Sequence, residues 1–490
     1  MKLLFVYMNA TMRGSFPIGL TNLASYLKSL GHEIEIFDTT FYRQYAEKNR
    51  NKVGEKFGLY KPIENPVDFK YLDSDAETDL LRKIREFKPD LVGFSILSAN
   101  YYHAIKWSRK IKEVFPGLPV IYGGLHPSIC PDQVIAEPSV DMICLGEGEY
   151  ALDELLRRIE MKQDIADVRN IWVKRDGHIY KNSLRELISL DKLPVLDWSL
   201  FSEQHIYAPL NGRMRRIGSV EFSRGCPYTC NYCSCTALRN LTAPQKYLRH
   251  KSIDRAIEDL IILKEKYKVE MFYFLDETFL SMELSLFKDL AKLYKREVGL
   301  PFYAMTHPHS VTEEKAKIVD DMGCYLMTIG IEVGNEKFRG EVLNRRVPNT
   351  KIIEAFDIFH NKTKVLPSAF AMIGLPFETR ELIFDTIELF RRCKPATYSV
   401  GIFQPFMGSK LRQVCVDNGF FDPTGDTYEY PSETSVLTMP QLPKAEIERL
   451  YRTFMLYTKV DKDLFPLVKK AEDDDVLLAE LISQYQQGKS

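Results

Sequence analysis

GSVEFSRGCPYTCNYCSC, residues 218 to 235, places four of the nine cysteines of this 490-residue chain within ten positions. The spacing is Cys226-x3-Cys230-x2-Cys233, and Cys235 follows two residues later. Cysteines this dense rarely serve core packing, so the stretch indicates a zinc site, an iron–sulfur site, a disulfide knot or chance. Its place in the fold helps to decide among these alternatives.

The stretch opens a regular alternation of strand-like and helix-like segments. Strands are predicted at 218–223, 271–276, 301–307, 326–332, 368–374 and 398–404. Helices are predicted between and after them at 253–267, 283–297, 312–322, 350–361 and 380–392. Repeated β-then-α units predict a partial (β/α)6 barrel, whose active site lies on the loops after the strands. The cysteines follow the first strand and therefore lie where such a barrel has its active site.

A second alternation precedes the barrel. It predicts an α/β fold with a doubly wound, Rossmann-like sheet over roughly the first 150 residues, interrupted by a charged insertion loop at about 41–75. Ligands of such sheets lie beyond the carboxyl ends of the strands. Small residues follow three predicted strands there, at 95–98, 123–126 and 146–149. They leave room for a large flat ligand, although glycine after a strand is also ordinary turn chemistry.

These patterns divide the chain into four parts. Residues 1–160 form the Rossmann-like domain, 161–212 a connector with a hairpin at about 168–182, and 213–420 the barrel. Residues 421–490 form a mostly helical C-terminal region, whose helices are expected to cap the barrel mouth.

Composition restricts the possible partners and compartment. The 66 basic and 67 acidic residues nearly balance, so no general nucleic-acid field is expected, and RMRR at 213–216 is predicted as a solvated turn. No export signal and no apolar membrane span are recognised in the sequence. We expect a cytoplasmic protein with reduced thiols, which disfavours the disulfide knot.

The ligand number separates the remaining metal sites. Structural zinc sites take four ligands, commonly as two pairs, and no second pair follows here. Three thiolates can instead hold a [4Fe–4S] cluster and leave its fourth iron open to a substrate. Cys235 lies too close to Cys233 in sequence for comfortable joint ligation, so we predict Cys226, Cys230 and Cys233 as the ligands and Cys235 as a neighbour.

The cysteine spacing, with Tyr232 before the last cysteine, resembles the signature of the radical S-adenosylmethionine (SAM) superfamily. The resemblance implies that the open iron binds SAM and that one electron cleaves SAM to a 5′-deoxyadenosyl radical. DETF at 276–279, GIEVG at 330–334 and IGLPFE at 373–378 resemble later strand-end motifs of the family. The SAM contacts that this implies are Tyr232, Asp276, Glu277, Glu332, Gly334, Arg345 and Ile373.

The N-terminal domain resembles the cobalamin-binding domain that is fused to radical SAM barrels, through PIGLTNLASYL, GHEIEIFD, YGGLHPS and DMICLGEGE. The chain lacks the Asp-x-His-x-x-Gly loop of free-standing cobalamin domains. This absence fits cobalamin held without a histidine ligand, and equally fits a domain that has lost the cofactor. The cobalamin contacts that the resemblance implies are Ser95, Ser98, Gly123, Gly124, His126, Gly146, Glu147, Gly148 and Glu149.

Together these resemblances imply a cobalamin-dependent radical SAM enzyme, a class B-like methyltransferase that methylates an unactivated carbon through methylcobalamin and the adenosyl radical. A cobalamin-dependent radical SAM cyclase, for example on a tetrapyrrole, and a non-enzymatic iron–sulfur electron carrier are the alternatives. The expected partners are a small-molecule, lipid or natural-product substrate and a reductant such as flavodoxin or ferredoxin. The sequence identifies neither the substrate nor the catalytic side chains.

Overall fold

The computed structural model describes residues 1–9, 16–46, 63–425 and 433–487. Its first sheet has the order β2-β1-β3-β4-β5-β6-β7, with β1 to β5 parallel and β6 and β7 antiparallel. The strands are β1 Lys2–Tyr7, β2 Glu33–Asp38, β3 Leu91–Ser95, β4 Val120–Gly123, β5 Met142–Cys144, β6 Ile171–Arg175 and β7 His178–Tyr180. The helices are α1 Ile18–Ser29, α2 Arg43–Ala46, α3 Ala76–Phe87, α4 Tyr101–Val114, α5 Leu125–Ile129, α6 Pro131–Ala136 and α7 Glu149–Glu160.

The strand order explains where this sheet can bind a ligand. Central strands are apolar and covered on both faces, as parallel sheets require, and Leu3, Leu4, Val92 and Ile143 are fully buried. The chain runs from β1 outward to β2 and then back past β1 to β3. The resulting switch point between β1 and β3 opens a crevice at the carboxyl ends of the strands.

The second sheet has the order β16-β15-β14-β13-β12-β9-β8 and curls into a half-barrel. Its parallel strands are β9 Arg213–Val220, β12 Met271–Phe274, β13 Phe302–Thr306, β14 Cys324–Glu332, β15 Leu366–Ile373 and β16 Thr397–Ile402. β8 Tyr207–Leu210 pairs antiparallel at its edge, and β10 Ser223–Arg224 pairs with β11 Arg249–His250 beside the cysteine loop.

Helices alternate with the strands of the half-barrel. They are α8 Ser234–Thr242, α9 Ile253–Tyr267, α10 Leu284–Leu293, α11 Glu313–Asp321, α12 Glu336–Glu341, α13 Asn349–Lys362, α14 Arg380–Cys393 and α15 Lys410–Asp417. The C-terminal helices are α16 Lys444–Lys459, α17 Phe465–Ala471 and α18 Asp475–Gln487. Among the described residues, no helix combines the length and apolarity that crossing a membrane requires.

The structure modifies several sequence predictions. The hairpin of the connector is β6 and β7 of the first sheet, while β8 of the same connector joins the barrel sheet. RMRR is the first half of β9 rather than a turn, because β8 pairs with it. The segment PVIYGGLH at 119–126, whose apolar pattern predicts a strand, forms β4 only as far as Gly123, and α5 begins at Leu125. Within the predicted insertion loop, residues 47–62 lie outside the described residues.

The C-terminal region is helical as predicted, but α16 packs on the outside of the barrel. Phe454 of α16 lies against Tyr398 of β16 and Phe390 of α14. Glu472, fully buried, accepts hydrogen bonds from Arg380 of α14 and from Tyr457 of α16. This helix therefore joins the outer helical layer next to the last strand. Its Ile447 also lies beside Gly374 at the carboxyl end of β15, and a capping role for the C-terminal helices stays a prediction.

Candidate active site

The cysteine loop starts from a backbone position that favours glycine. Gly225 has a φ of 101°, and a Cβ there would lie 2.6 Å from the carbonyl oxygen of Tyr247. The loop turns across the carboxyl end of β9 and ends at Cys233, the residue before α8. The nine cysteines, including Cys226, Cys230 and Cys233, are all free thiols.

The four clustered thiols differ in pKa because their surroundings differ. Burial raises the pKa of Cys226 to about 11. A hydrogen bond from Cys235 lowers the pKa of Cys233 to about 7 and raises that of Cys235 itself. The Cys235 sulfur lies 3.8 Å from Oε1 of Glu277. Cys235 is thus a close neighbour of Cys233, as its position in the sequence predicts.

The three predicted ligands suit a cluster better than a single ion. Within the parts of the chain that the structure describes, no three His, Cys, Asp or Glu side chains converge as one metal ion would require. A [4Fe–4S] cluster does not need such convergence, because each cysteine binds a different iron. Three free thiols on one strand-end loop, beside a buried guanidinium, therefore fit this group.

Arg345 supplies that guanidinium. Its Nη1 lies 3.8 Å from the sulfur of Cys230, and its Nη2 donates to the carbonyl of Gly330 at 2.7 Å. Nη2 is also 3.8 Å from Oε1 of Glu332. The neighbouring Arg346 instead uses its backbone carbonyl to accept from His309. Of the two arginines, Arg345 is therefore the one whose side chain reaches the cysteine loop.

Two predicted SAM-binding acids border the same loop. Burial raises the pKa of Glu332, while Arg345 and a hydrogen bond from Tyr232 oppose that shift. Burial also raises the pKa of Glu277. Glu332 has a φ of 65° at the end of β14, which turns its side chain toward Arg345. The structure thus brings Tyr232, Glu277, Glu332 and Arg345 to the loop.

Other predicted SAM residues have structural partners. The Asp276 carboxylate accepts from the backbone N–H groups of Phe222 and Ser223 at 3.1 and 2.6 Å, and burial raises its pKa to about 7. A Cβ on Gly334 would lie 2.1 Å from the carbonyl oxygen of Asp385, so helix packing requires this glycine. Ile373 is fully buried. Their contact with SAM remains a prediction.

The first domain has a cavity of about 190 Å³ at its switch point. Apolar side chains such as Phe5, Leu20 and Ile121 line it together with a glycine-rich rim. Its predicted lining residues are Ser95, Gly123, Gly124, Gly146, Glu147, Gly148 and Glu149. A Cβ on Gly124, where φ is 97°, would approach the Ile96 carbonyl oxygen to 2.9 Å. The glycine-rich rim leaves backbone accessible at the mouth of the cavity, as the approach of a large flat group would require.

Ser98 and His126 lie behind this rim. Ser98 Oγ is 3.0 Å from Nδ1 of His126, whose side chain is fully buried and packs on Tyr101. Burial lowers the pKa of His126 to about 4, so the imidazole is neutral near pH 7. The structure shows them as mutual hydrogen-bond partners, and their contact with cobalamin remains a prediction.

An ion-pair cluster that the sequence analysis missed joins the two sites. Arg224, two residues before Cys226, contacts Glu221 at 2.8 Å, Glu149 at 2.9 Å and Glu147 at 3.3 Å. Arg249 of β11 contacts Glu147 at 2.5 Å. Only the pairing of distant segments brings these charges together, so their sequence positions gave no signal.

Family models match both halves of the molecule. The B12 binding domain matches residues 63–156, and the Radical SAM superfamily matches residues 220–390. This chain is a radical SAM enzyme with a B12-binding domain. The family assignment, the two-domain α/β architecture and the set of cofactors agree with the resemblance found in the sequence.

Curated relatives of this radical SAM enzyme include methyltransferases and a cyclase. It is 26% identical to an uncharacterized methyltransferase of Pyrococcus horikoshii, over 83% of this chain and 88% of that one. It is 24% identical to the cytidylyl-2-hydroxyethylphosphonate methyltransferase of Streptomyces wedmorensis, over 88% and 83%. It is 25% identical to the anaerobic magnesium-protoporphyrin IX monomethyl ester cyclase of Rubrivivax gelatinosus, over 70% and 61%.

Solved structures share the fold over most of the chain. The radical SAM methyltransferase TsrM from Kitasatospora setae, with cobalamin and a [4Fe-4S] cluster bound, has a TM-score of 0.65 at 14% identity and covers 99% of both chains. The cobalamin-dependent enzyme OxsB has a TM-score of 0.61 at 16% identity, over 85% of this chain and 55% of that one.

Proposed function

We propose that this enzyme is a cobalamin-dependent radical SAM methyltransferase that methylates an unactivated carbon. The single observation that carries the proposal is the ion-pair cluster of Arg224 with Glu147 and Glu149. It links the rim of the cavity in the first domain to the strand that leads into Cys226. Two cofactor sites this close suit a reaction that needs both at one substrate.

The residues that would hold each group are distinct. Cys226, Cys230 and Cys233 would hold the cluster, Glu277, Glu332 and Arg345 would bind SAM, and the glycine-rich rim would border cobalamin. When bound, these groups supply a radical that abstracts hydrogen and a transferable methyl group. The chain itself contributes position and the exclusion of water.

The electrostatics at the carboxyl end of the barrel support this role. We call the charged side chains there, Glu277, Glu332 and Arg345, the charged rim. A SAM carboxylate needs a cationic partner, and Arg345, only 6% exposed, is held in place by the carbonyl of Gly330. A SAM ammonium needs an anionic partner, and Glu277 and Glu332 supply carboxylates beside the cysteine loop. Because these groups are largely buried, their interactions with a bound ligand are screened little by water.

The proposal can be tested without knowing the methyl acceptor, by following a labelled methyl group from SAM to the corrinoid. The chain is reconstituted anaerobically with iron, sulfide and hydroxocobalamin, desalted, reduced and given SAM with a ¹³C-labelled methyl group. We expect retained iron and corrinoid, and transfer of the label from SAM to the protein-bound corrinoid. Retained corrinoid that receives no label would contradict a methyltransferase. Iron without retained corrinoid would contradict a cobalamin enzyme. Retained iron with neither labelled corrinoid nor 5′-deoxyadenosine would leave only an electron carrier.

A cobalamin-dependent cyclase is the second candidate, because three curated cyclases are among the relatives, at 23–25% identity. A cyclase needs no methyl group on its product. The same experiment separates the two, since a cyclase is expected to cleave SAM to 5′-deoxyadenosine without moving the label. A reductant of the flavodoxin or ferredoxin class and a small-molecule, lipid or natural-product acceptor complete the proposal.

A further inference from the structure

The concave face of the half-barrel carries almost no charge. Strands β12 to β16, all of whose residues the structure describes, contain one charged side chain, Glu332, at the last position of β14. The charged residues of β9 lie in its first half, alongside β8. A buried ion without a partner is strongly disfavoured, so this face suits an uncharged ligand.

Alternation along the strands separates two sets of side chains. One set packs outward on the helices, as Ala369, Ala371 and Tyr398 do. The other set points into the concavity, which we call the inner chamber. Its members are Tyr273, Tyr303, Met305, Thr328, Ser368, Phe370, Met372 and Ser399.

Phe370 is the most informative member of the chamber. It lies within β15, with β14 and β16 paired on either side, yet 39% of it is exposed. Its neighbours across the sheet are Gly330 and Ser399, which are too small to cover the ring. A large apolar side chain exposed in a concavity marks a surface that gains free energy when a ligand covers it.

Aromatic rings also form the other wall. Tyr273 and Tyr303 are opposite each other on β12 and β13, and their rings stack with centroids 4.2 Å apart and an angle of 9°. Both are only partly buried. Rings on both sides of β14 favour flat apolar groups, which can lie against them face to face or edge to face.

The chamber is continuous with the active site. A Cβ on Gly330 would meet Oε1 of Glu332 at 2.3 Å and Nη2 of Arg345 at 2.8 Å, so these two charged side chains lie over the residue beside Phe370. The aromatic surface therefore begins where the charged rim ends. A molecule in the chamber can present one carbon to that rim while its apolar body stays below.

We infer that the inner chamber binds the methyl acceptor through an uncharged, flat, apolar ring system, with Phe370 as a specificity-determining residue. This inference rests on the proposed function, because it assigns the chamber to the acceptor. Any charged part of the acceptor stays at the rim, beside Arg345 and Glu332. Thr328, Ser368 and Ser399 provide neutral hydrogen-bonding groups within the chamber.

A matched pair of fluorescent probes tests the inference on the reconstituted enzyme. N-phenyl-1-naphthylamine is uncharged, and 8-anilinonaphthalene-1-sulfonate has the same rings with a sulfonate. We expect saturable binding of the uncharged probe and at least about tenfold weaker binding of the sulfonate. Equal affinities, or no saturable binding of the uncharged probe, would overturn the inference.

Variants locate the probe. Phe370→Ala is expected to weaken binding of the uncharged probe about fivefold, whereas Leu464→Ala, an equally exposed apolar residue outside the barrel, leaves it unchanged. Ser399→Asp is expected to weaken it about tenfold and the isosteric Ser399→Asn less than about twofold. Equal effects of Phe370→Ala and Leu464→Ala, or of the two Ser399 variants, would contradict the assignment.

A saturating concentration of SAM tests whether the probe occupies the acceptor site or the site of the SAM adenine. We expect SAM to leave the probe affinity unchanged, and competitive displacement would assign the aromatic surface to SAM instead. Probe binding requires no turnover. Binding as expected without label transfer to the corrinoid would refute the methyltransferase and keep the chamber, and the reverse result would refute the chamber alone.

Discussion

The cavity of the first domain and the charged rim of the barrel both lie beyond the carboxyl ends of parallel strands. They differ in composition, because the cavity is lined by glycines and the rim by ionisable side chains. The cavity is made by removing side chains, with Gly93, Gly123, Gly146 and Gly148 along its wall. The rim is made of ionisable side chains in close pairs: Arg345 lies 3.8 Å from Cys230 and from Glu332, and Cys235 lies 3.8 Å from Glu277. The cavity therefore exposes backbone, and the barrel site presents charged side chains.

The cysteines give the largest expected effect, because without them the barrel would lose the proposed cluster entirely. Changing Cys226, Cys230 or Cys233 to alanine is expected to remove nearly all reconstituted iron, since each thiolate would hold one iron of the proposed cluster. The measurement is iron per chain with the ultraviolet–visible spectrum.

Cys235→Ala is the matched control. Its thiol is hydrogen bonded to Cys233, so the variant is expected to keep most of the iron while the environment of Cys233 changes. An iron loss as complete as that of the other three variants would make Cys235 a ligand and contradict the three-cysteine site.

Arg224 tests the link between the two regions. Arg224→Met leaves Glu147, Glu149 and Glu221 without their shared partner, and removal of one member of a buried ion cluster costs about 3–5 kcal/mol. Urea denaturation followed by circular dichroism measures the loss. Arg213→Met, on the preceding strand β9 and in an exposed pair with Glu64, is expected to cost less than about 1 kcal/mol. Equal losses of unfolding free energy in the Arg224→Met and Arg213→Met variants would contradict a stabilising role of the cluster between the domains.

The cavity predicts a smaller and more selective effect. A Cβ on Gly148 would make ordinary contacts, 3.5 Å from Cys144 and Leu23, so Gly148→Ala is expected to be tolerated. Gly148→Leu extends into the cavity and is expected to weaken cobalamin retention about tenfold by overpacking. Cobalt and iron per chain after desalting measure both effects. Iron loss in parallel with cobalt would show a general folding defect instead.

The sequence predicted the two regions unequally. Periodicity and strand-end glycines located both sheets, and helix α9 was predicted at its observed bounds of 253–267. The cysteine spacing is a local feature, so the sequence alone was enough to predict the cysteine site. The cluster of Arg224, Arg249 and Glu147 depends on contacts between residues far apart in the chain, which spacing cannot encode. Asp276 matched a motif, but its backbone partners became visible only in the fold.

The smallest expected effect concerns a buried acid at the end of β15. Glu378 is fully buried and accepts from the backbone N–H groups of Gly374 and Leu375 at 2.6 and 3.1 Å. Burial raises its pKa to about 8. Because the pKa is higher in the folded chain than in the unfolded chain, protonation favours folding. This contribution is complete below the unfolded pKa of about 4.5 and is lost as the pH rises through about 8.

Glu378→Gln keeps an acceptor oxygen for these two N–H groups and removes the titration. We therefore expect the variant and the unchanged chain to unfold at nearly the same temperature at pH 5. At pH 9 the variant is expected to unfold at a higher temperature, with a free energy of unfolding larger by about 1 kcal/mol or more. Glu381→Gln, in the exposed first turn of α14, is expected to give no such gain. A difference between Glu378→Gln and the unchanged chain that stays constant from pH 5 to 9 would show that Glu378 does not titrate there. The loop after β15 would then hold a buried carboxylate through the N–H groups of Gly374 and Leu375 alone, without a cationic partner.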